Sequence, residues 1–109
     1  MSLHKSDGFI SDVECLFEWY VNNASWEVAE LYLNAVEATC HLLSSHPLLG
    51  PPLKTAHERL QRWRFMVVFQ PFQKHILFYE VRGDDVILRR TMHGHRDLPR
   101  RLMEPPPTS

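Results

Sequence analysis

At 109 residues, with 44% hydrophobic and 23% charged side chains, the chain is sized for one domain with its own core, and two domains would not fit. It carries no charged-then-apolar leader, no run of about 18 apolar residues and no lipidation signal, which argues against export or membrane insertion and points to the cytoplasm. The net charge of −1 is unevenly divided: residues 1–52 hold one lysine against seven carboxylates, a net of −6, and the remainder eleven cations against six, a net of +5. A basic half is either a solvated surface or one that meets nucleic acid or an acidic partner.

In chain order, residues 1–5 are too short and mixed to assign. Ser6 or Asp7 then offers an oxygen to the free N–H groups of a helix start. From Ile10 onward Val13, Leu16, Phe17, Tyr20 and Val21 fall on one apolar stripe, with Asp12, Glu14 and Glu18 away from it. Asn22-Asn23-Ala24 ends this helix, and Ser25 caps a second one with Glu27 in its first turn. Its stripe is Val28, Tyr32, Ala35, Val36, Thr39, Leu42 and Leu43; it ends at Ser44-Ser45-His46-Pro47, because the residue before proline avoids helical angles. The short connection predicts an antiparallel helix hairpin. Cys15 and Cys40 lie within these helices without metal-ligand or redox spacing and read as buried, reduced thiols. Leu48-Leu49-Gly50-Pro51-Pro52-Leu53 is a stiff crossover.

The stretch from Leu60 to Asp97 holds three β-rich runs: Phe65–Gln70, His75–Val81 and Val86–Met92. Gln70-Pro71-Phe72-Gln73 separates the first two and Gly83-Asp84-Asp85 the last two, connections short enough to force an antiparallel meander. Ile76-Leu77-Phe78-Tyr79 is apolar on both alternating faces, as a covered central strand should be. In the last run Val86, Leu88, Arg90 and Met92 alternate with Ile87, Arg89, Thr91 and His93. With the hairpin laid on one face of this sheet, the expected class is α+β, with Phe17 and Phe78 in the core. Residues 1–103 form the expected domain, and the proline-rich residues 104–109 read as a disordered tail.

Two readings compete for the histidines. His93 and His95 can act as an acid/base pair on a phosphodiester with Arg96 beside them, since imidazole titrates near neutral pH. Equally, one imidazole can fix the turn at Gly94 while Arg96 pairs with Asp97. No histidine or carboxylate cluster gives a metal's ligand geometry, and neither a phosphate loop nor a nucleophile elbow is present, so no metal or cofactor is expected. Arg62, Arg64, Arg89, Arg90, Arg96, Arg100 and Arg101 can clamp phosphates or an acidic partner. Exposed, Trp63 or Phe72 can stack on a base or fill a partner's pocket; core packing suits Trp63 better.

Leu60-Gln61-Arg62-Trp63, Ile76-Leu77-Phe78-Tyr79, Val86 to Arg90 and His93-Gly94-His95-Arg96-Asp97-Leu98 resemble, in order and spacing, the motifs of RelE/ParE toxins of type II toxin–antitoxin systems. His46-Pro47-Leu48-Leu49-Gly50 adds to the likeness, which covers residues 12–102 and is similar to the ParE-like, plasmid-stabilisation branch. The resemblance implies a helix hairpin on a three-stranded antiparallel meander, preceded by a strand for which only Ser2-Leu3-His4-Lys5 is available, so that this strand is short or missing. It further implies a toxin that binds and poisons DNA gyrase, held by a cognate antitoxin through Arg62, Arg64, Arg89, Arg90 and Arg96, with no catalytic residue. The alternative it carries is an endoribonuclease that cuts messenger RNA on the ribosome, using His93, His95 and Arg96. Against that alternative, Gln73-Lys74-His75 stands where nuclease members carry an arginine, and no tyrosine follows Asp97. A member without toxicity is a third reading, and a homodimer is compatible with all of them.

Overall fold

The computed structural model describes residues 2–94 and residue 102. The order is β1 (Leu3–Lys5), α1 (Asp7–Asn23), α2 (Trp26–Ser45), a 3-10 turn (Glu58–Leu60), β2 (Trp63–Val67), β3 (His75–Arg82) and β4 (Asp85–His93). The helix hairpin and the meander are as expected. The short first strand is present as well: β1 runs parallel to β4, Leu3 opposite Val86, and the sheet is a mixed four-stranded one in the order β1-β4-β3-β2.

Both helices start where the sequence places them. Ser6 accepts from the Phe9 N–H at 3.2 Å and Ser25 from that of Val28 at 3.1 Å. The buried face of α1 keeps Val13, Leu16 and Tyr20 of the expected stripe, adds Phe9 and Asp12, and leaves Phe17 at its edge. Phe9 and Asp12 are buried, Val13, Leu16 and Tyr20 pack beside them, and Ile10 is exposed. Phe17 is half-buried and meets Trp26 edge-on at 5.4 Å instead of entering the core. The start of α1 is tied to β4 by the Ser6 N–H, which donates to the Leu88 carbonyl, and by Asp12, which accepts from Arg90 and from the Thr91 N–H.

The first meander strand begins two residues early and ends three residues short of the expectation. The Leu53 N–H bonds the Trp63 carbonyl and the Phe65 N–H bonds that of Pro51, which draws residues 63–65 into the sheet. The Phe69 N–H goes to Thr39 Oγ at 3.2 Å, which takes the chain off the ladder towards α2. Gly83, at a φ of 60°, makes the tight turn from β3 to β4.

Leu77, Tyr79, Val86 and Leu88 face the helices and join Phe9, Tyr32, Val36, Cys40, Leu43 and Phe72 in one core. Ile76, Phe78 and Met92 face the other way and are covered by Leu60 and Leu102, with Leu53, Trp63 and Phe65 packed at the margin. The expected face of β4 therefore needs correcting: Leu88 and Met92 lie on opposite faces. A β-bulge explains it, because Tyr79 pairs with Leu88 and Phe78 with Arg90, leaving Arg89 as an extra residue. Phe72 is likewise a core residue rather than an exposed one, and Cys15 is only half-buried where Cys40 is fully enclosed.

Candidate functional sites

The structure brings the expected site residues to three different places. Arg90, just past the bulge, turns to α1, where its Nε bonds Asp12 Oδ2 at 2.6 Å and its Nη2 bonds Oδ1 at 3.1 Å. The same Oδ2 accepts from the Thr91 N–H, so the carboxylate fixes both the guanidinium and the backbone. Asp12 therefore lies inside the domain, not among the outward acids of its helix. Arg64 is also committed within the domain: its Nη1 donates to the Gly50 carbonyl at 2.6 Å.

Arg89 belongs to a cleft of about 320 Å3 on the sheet face away from the helices, lined by Arg59, Leu60, Trp63, Glu80, Arg82, Arg89 and Leu102. Glu80 is buried at its floor, taking Arg89 Nε at 2.6 Å and Arg82 Nε at 3.3 Å. One carboxylate against Arg59, Arg82 and Arg89 leaves an excess of positive charge beside the half-buried ring of Trp63. Arg62 is exposed nearby in sequence, before β2. Sequence reasoning passed over Glu80, Arg59 and Arg82. The signal was there in Glu80, a lone carboxylate inside the apolar run of β3, which needs cationic partners if it is buried.

The third place is the end of the β3–β4 ladder. His75 lies opposite His93, their rings edge to face at 4.9 Å, and the Gly94 N–H bonds the Lys74 carbonyl. The Tyr20 hydroxyl of α1 is 2.8 Å from His75 Nε2. Burial, helped by His93 alongside, pulls His75 down from 6.5 to about 4. Burial also pushes Tyr20 up from its ordinary value, so at neutral pH the phenol keeps its proton and His75 is uncharged. His95, Arg96, Asp97, Arg100 and Arg101, and with them most of the expected histidine–arginine constellation and the tail, lie outside the described residues.

Residues 4–98 match the family described as ParE toxin of type II toxin-antitoxin system, parDE. The chain belongs to the ParE toxin family. The matched span takes in α1, α2, β2, β3 and β4 and every described residue of the three places above except Leu102. Among solved structures, the ParE fold found here is similar to that of the chromosomal ParDE TA system from P. aeruginosa, with a TM-score of 0.71 over 87% of this chain and 97% of that one. At 15% identity the likeness is one of fold. No curated protein matches the chain. Within the ParE fold the glycine of the crossover has a plain reason: a Cβ on Gly50 would sit 2.2 Å from the Phe65 carbonyl oxygen and 2.8 Å from the Tyr79 hydroxyl. That hydroxyl in turn takes the Gly50 N–H and donates to the Pro47 carbonyl, fastening the crossover to β3.

Proposed function

We propose that this ParE family member is the toxin of a cytoplasmic toxin–antitoxin pair, that it acts by binding and poisoning DNA gyrase, and that a cognate antitoxin masks its basic sheet face. The observation that carries the reading is the cleft of Arg59, Arg82 and Arg89 over buried Glu80. Three guanidinium groups and one carboxylate attract an acidic segment, and the half-buried ring of Trp63 offers its apolar side chains a surface. Arg62, exposed before β2, and Arg96, from the family motif, are proposed as further contacts of the antitoxin.

The Tyr20–His75 pair supplies no group for RNA cleavage, and a nuclease reading would rest on His93, His95 and Arg96 instead. Breaking a phosphodiester near pH 7 needs a group that gives or takes a proton there. His75, near 4, and Tyr20, above its ordinary value, are both held neutral. Poisoning a topoisomerase asks for no proton transfer by the toxin, only a surface.

Expression in growing cells tests the reading. Growth should stop with the toxin alone and resume when a small acidic partner from the adjacent reading frame is supplied. Arg59→Glu with Arg82→Glu should weaken that complex about tenfold or more and flatten its salt dependence. Undiminished affinity with an unchanged salt slope places the antitoxin elsewhere.

A further inference from the structure

The outer side of the helix hairpin, in the layer opposite the arginine cleft, carries an apolar groove between α1 and α2. Ile10, Phe17 and Val21 share one side of α1, because steps of seven and eleven residues return a helix to nearly the same direction, and Trp26 and Leu33 share one side of α2 for the same reason. The edge-to-face contact of Phe17 with Trp26 at 5.4 Å joins the two sides. None of the five is fully buried: Trp26 is 55% exposed, Ile10 40%, and Phe17, Val21 and Leu33 are half-buried. Aromatic and aliphatic side chains grouped at the surface in this way mark a contact surface. The rim of the groove has one sign of charge. Glu14 and Glu18 on α1 and Glu27 and Glu30 on α2 are exposed, and their carboxylates have no hydrogen-bond or ion-pair partner among the described residues. From Ser6 to Leu53 the sequence holds no lysine or arginine to balance them.

We propose that this groove is a docking site for a basic amphipathic helix of a partner protein, distinct from the acidic antitoxin segment assigned to the sheet face. The shape asks for a helix. Two packed helices present a shallow trough whose ridges and grooves receive a third, and the roughly 16 Å from Ile10 to Val21 correspond to about three helical turns. Apolar anchors at i, i+3 or i+4 and i+7 of the incoming helix fill the trough beside Ile10 and Trp26. The rim asks for lysine or arginine on the flanks of that helix, opposite Glu14 and Glu18 on one side and Glu27 and Glu30 on the other. It also disfavours the other occupants. An acidic segment meets four carboxylates, and a second copy docked through the same face brings its own four against them. A partner helix here and an antitoxin at the arginine cleft occupy opposite layers, so either can bind without the other.

The test is a titration of the full chain, at physiological salt, into a fluorescein-labelled peptide of about 14 leucines and lysines with its leucines on one helical face, followed by fluorescence anisotropy. Half-saturation should come at about 20 µM. A peptide of the same composition, scrambled so that no apolar face forms, should bind about tenfold more weakly, and one with glutamate in place of lysine should not bind. Trp26→Ala should weaken binding about tenfold, and so should Glu14→Lys with Glu30→Lys, all at exposed positions that leave the fold intact. The same charge reversal at Glu58 and Asp84, exposed outside the hairpin, should change it by less than about twofold, because salt screens distant charges. The proposal is overturned by equal affinity for the scrambled peptide, by undiminished affinity in either hairpin variant, by an equal loss in the Glu58 and Asp84 variant, or by saturable binding of the glutamate peptide. Sedimentation of the chain alone as a dimer that Trp26→Ala dissociates would assign the groove to a second copy and overturn it as well.

Discussion

Asp12 and Arg90 join the first helix to the last strand through two hydrogen bonds at the edge of the core, both side chains almost wholly withdrawn from water. Removing one partner strands the other charge, so Asp12→Ala should cost about 3 to 5 kcal/mol in chemical denaturation. A loss below about 1 kcal/mol would mean that Arg90 finds water. His75 makes a second prediction. Unfolded, its imidazole titrates near 6.5; folded, near 4. The unfolded chain therefore binds the proton first, and stability falls as pH drops from about 6.5 to 4, by about 3 kcal/mol, and levels off below. Urea denaturation of the wild type and of His75→Phe over this window isolates the effect, and parallel curves would refute it. Neither pairing was legible in the sequence. Asp12 sits 78 residues from Arg90, and Tyr20 reads as one more member of an apolar stripe until the strand end beneath it is known.

At the level of elements, the sequence carried the helices and the meander well because their signals are local: serine caps, a helical apolar period, a glycine turn. It carried badly what depends on a neighbour. The three residues of β1 have one apolar side chain among them and become a strand only because the outer edge of β4 is free to pair with them. The bulge at Arg89 cannot be seen by alternation within β4, since an extra residue exists only relative to β3. Phe78, buried on the far face of the sheet, should lose about 3 to 5 kcal/mol as alanine, whereas half-buried Phe17 should lose about 1 kcal/mol. Equal losses at the two positions would contradict the register of α1. Gly50→Ala should destabilise by about 1 to 3 kcal/mol, because the obstruction is the Phe65 backbone and cannot rotate away. An unchanged denaturation midpoint would show that the crossover yields.

Across the described residues, the division of charge read from the sequence has a structural counterpart: the acids of the first half lie largely on the outward faces of the hairpin, and the described arginines gather on and beside the sheet. Of the arginines expected to meet a partner, Arg89 and exposed Arg62 remain suited to it, while Arg64 and Arg90 hold the fold together. The sequence could not separate these roles, because an arginine that clamps a carbonyl and one that clamps a partner are the same letter. As proposed above, the protein acts by binding gyrase and not by proton transfer. Purified toxin assayed in parallel for supercoiling by gyrase, with trapping of cleaved DNA, and for cleavage of messenger RNA on programmed ribosomes tests it most directly. The account predicts inhibited supercoiling with trapped breaks and intact messenger RNA; ribosome-dependent cuts with unaffected gyrase would contradict it.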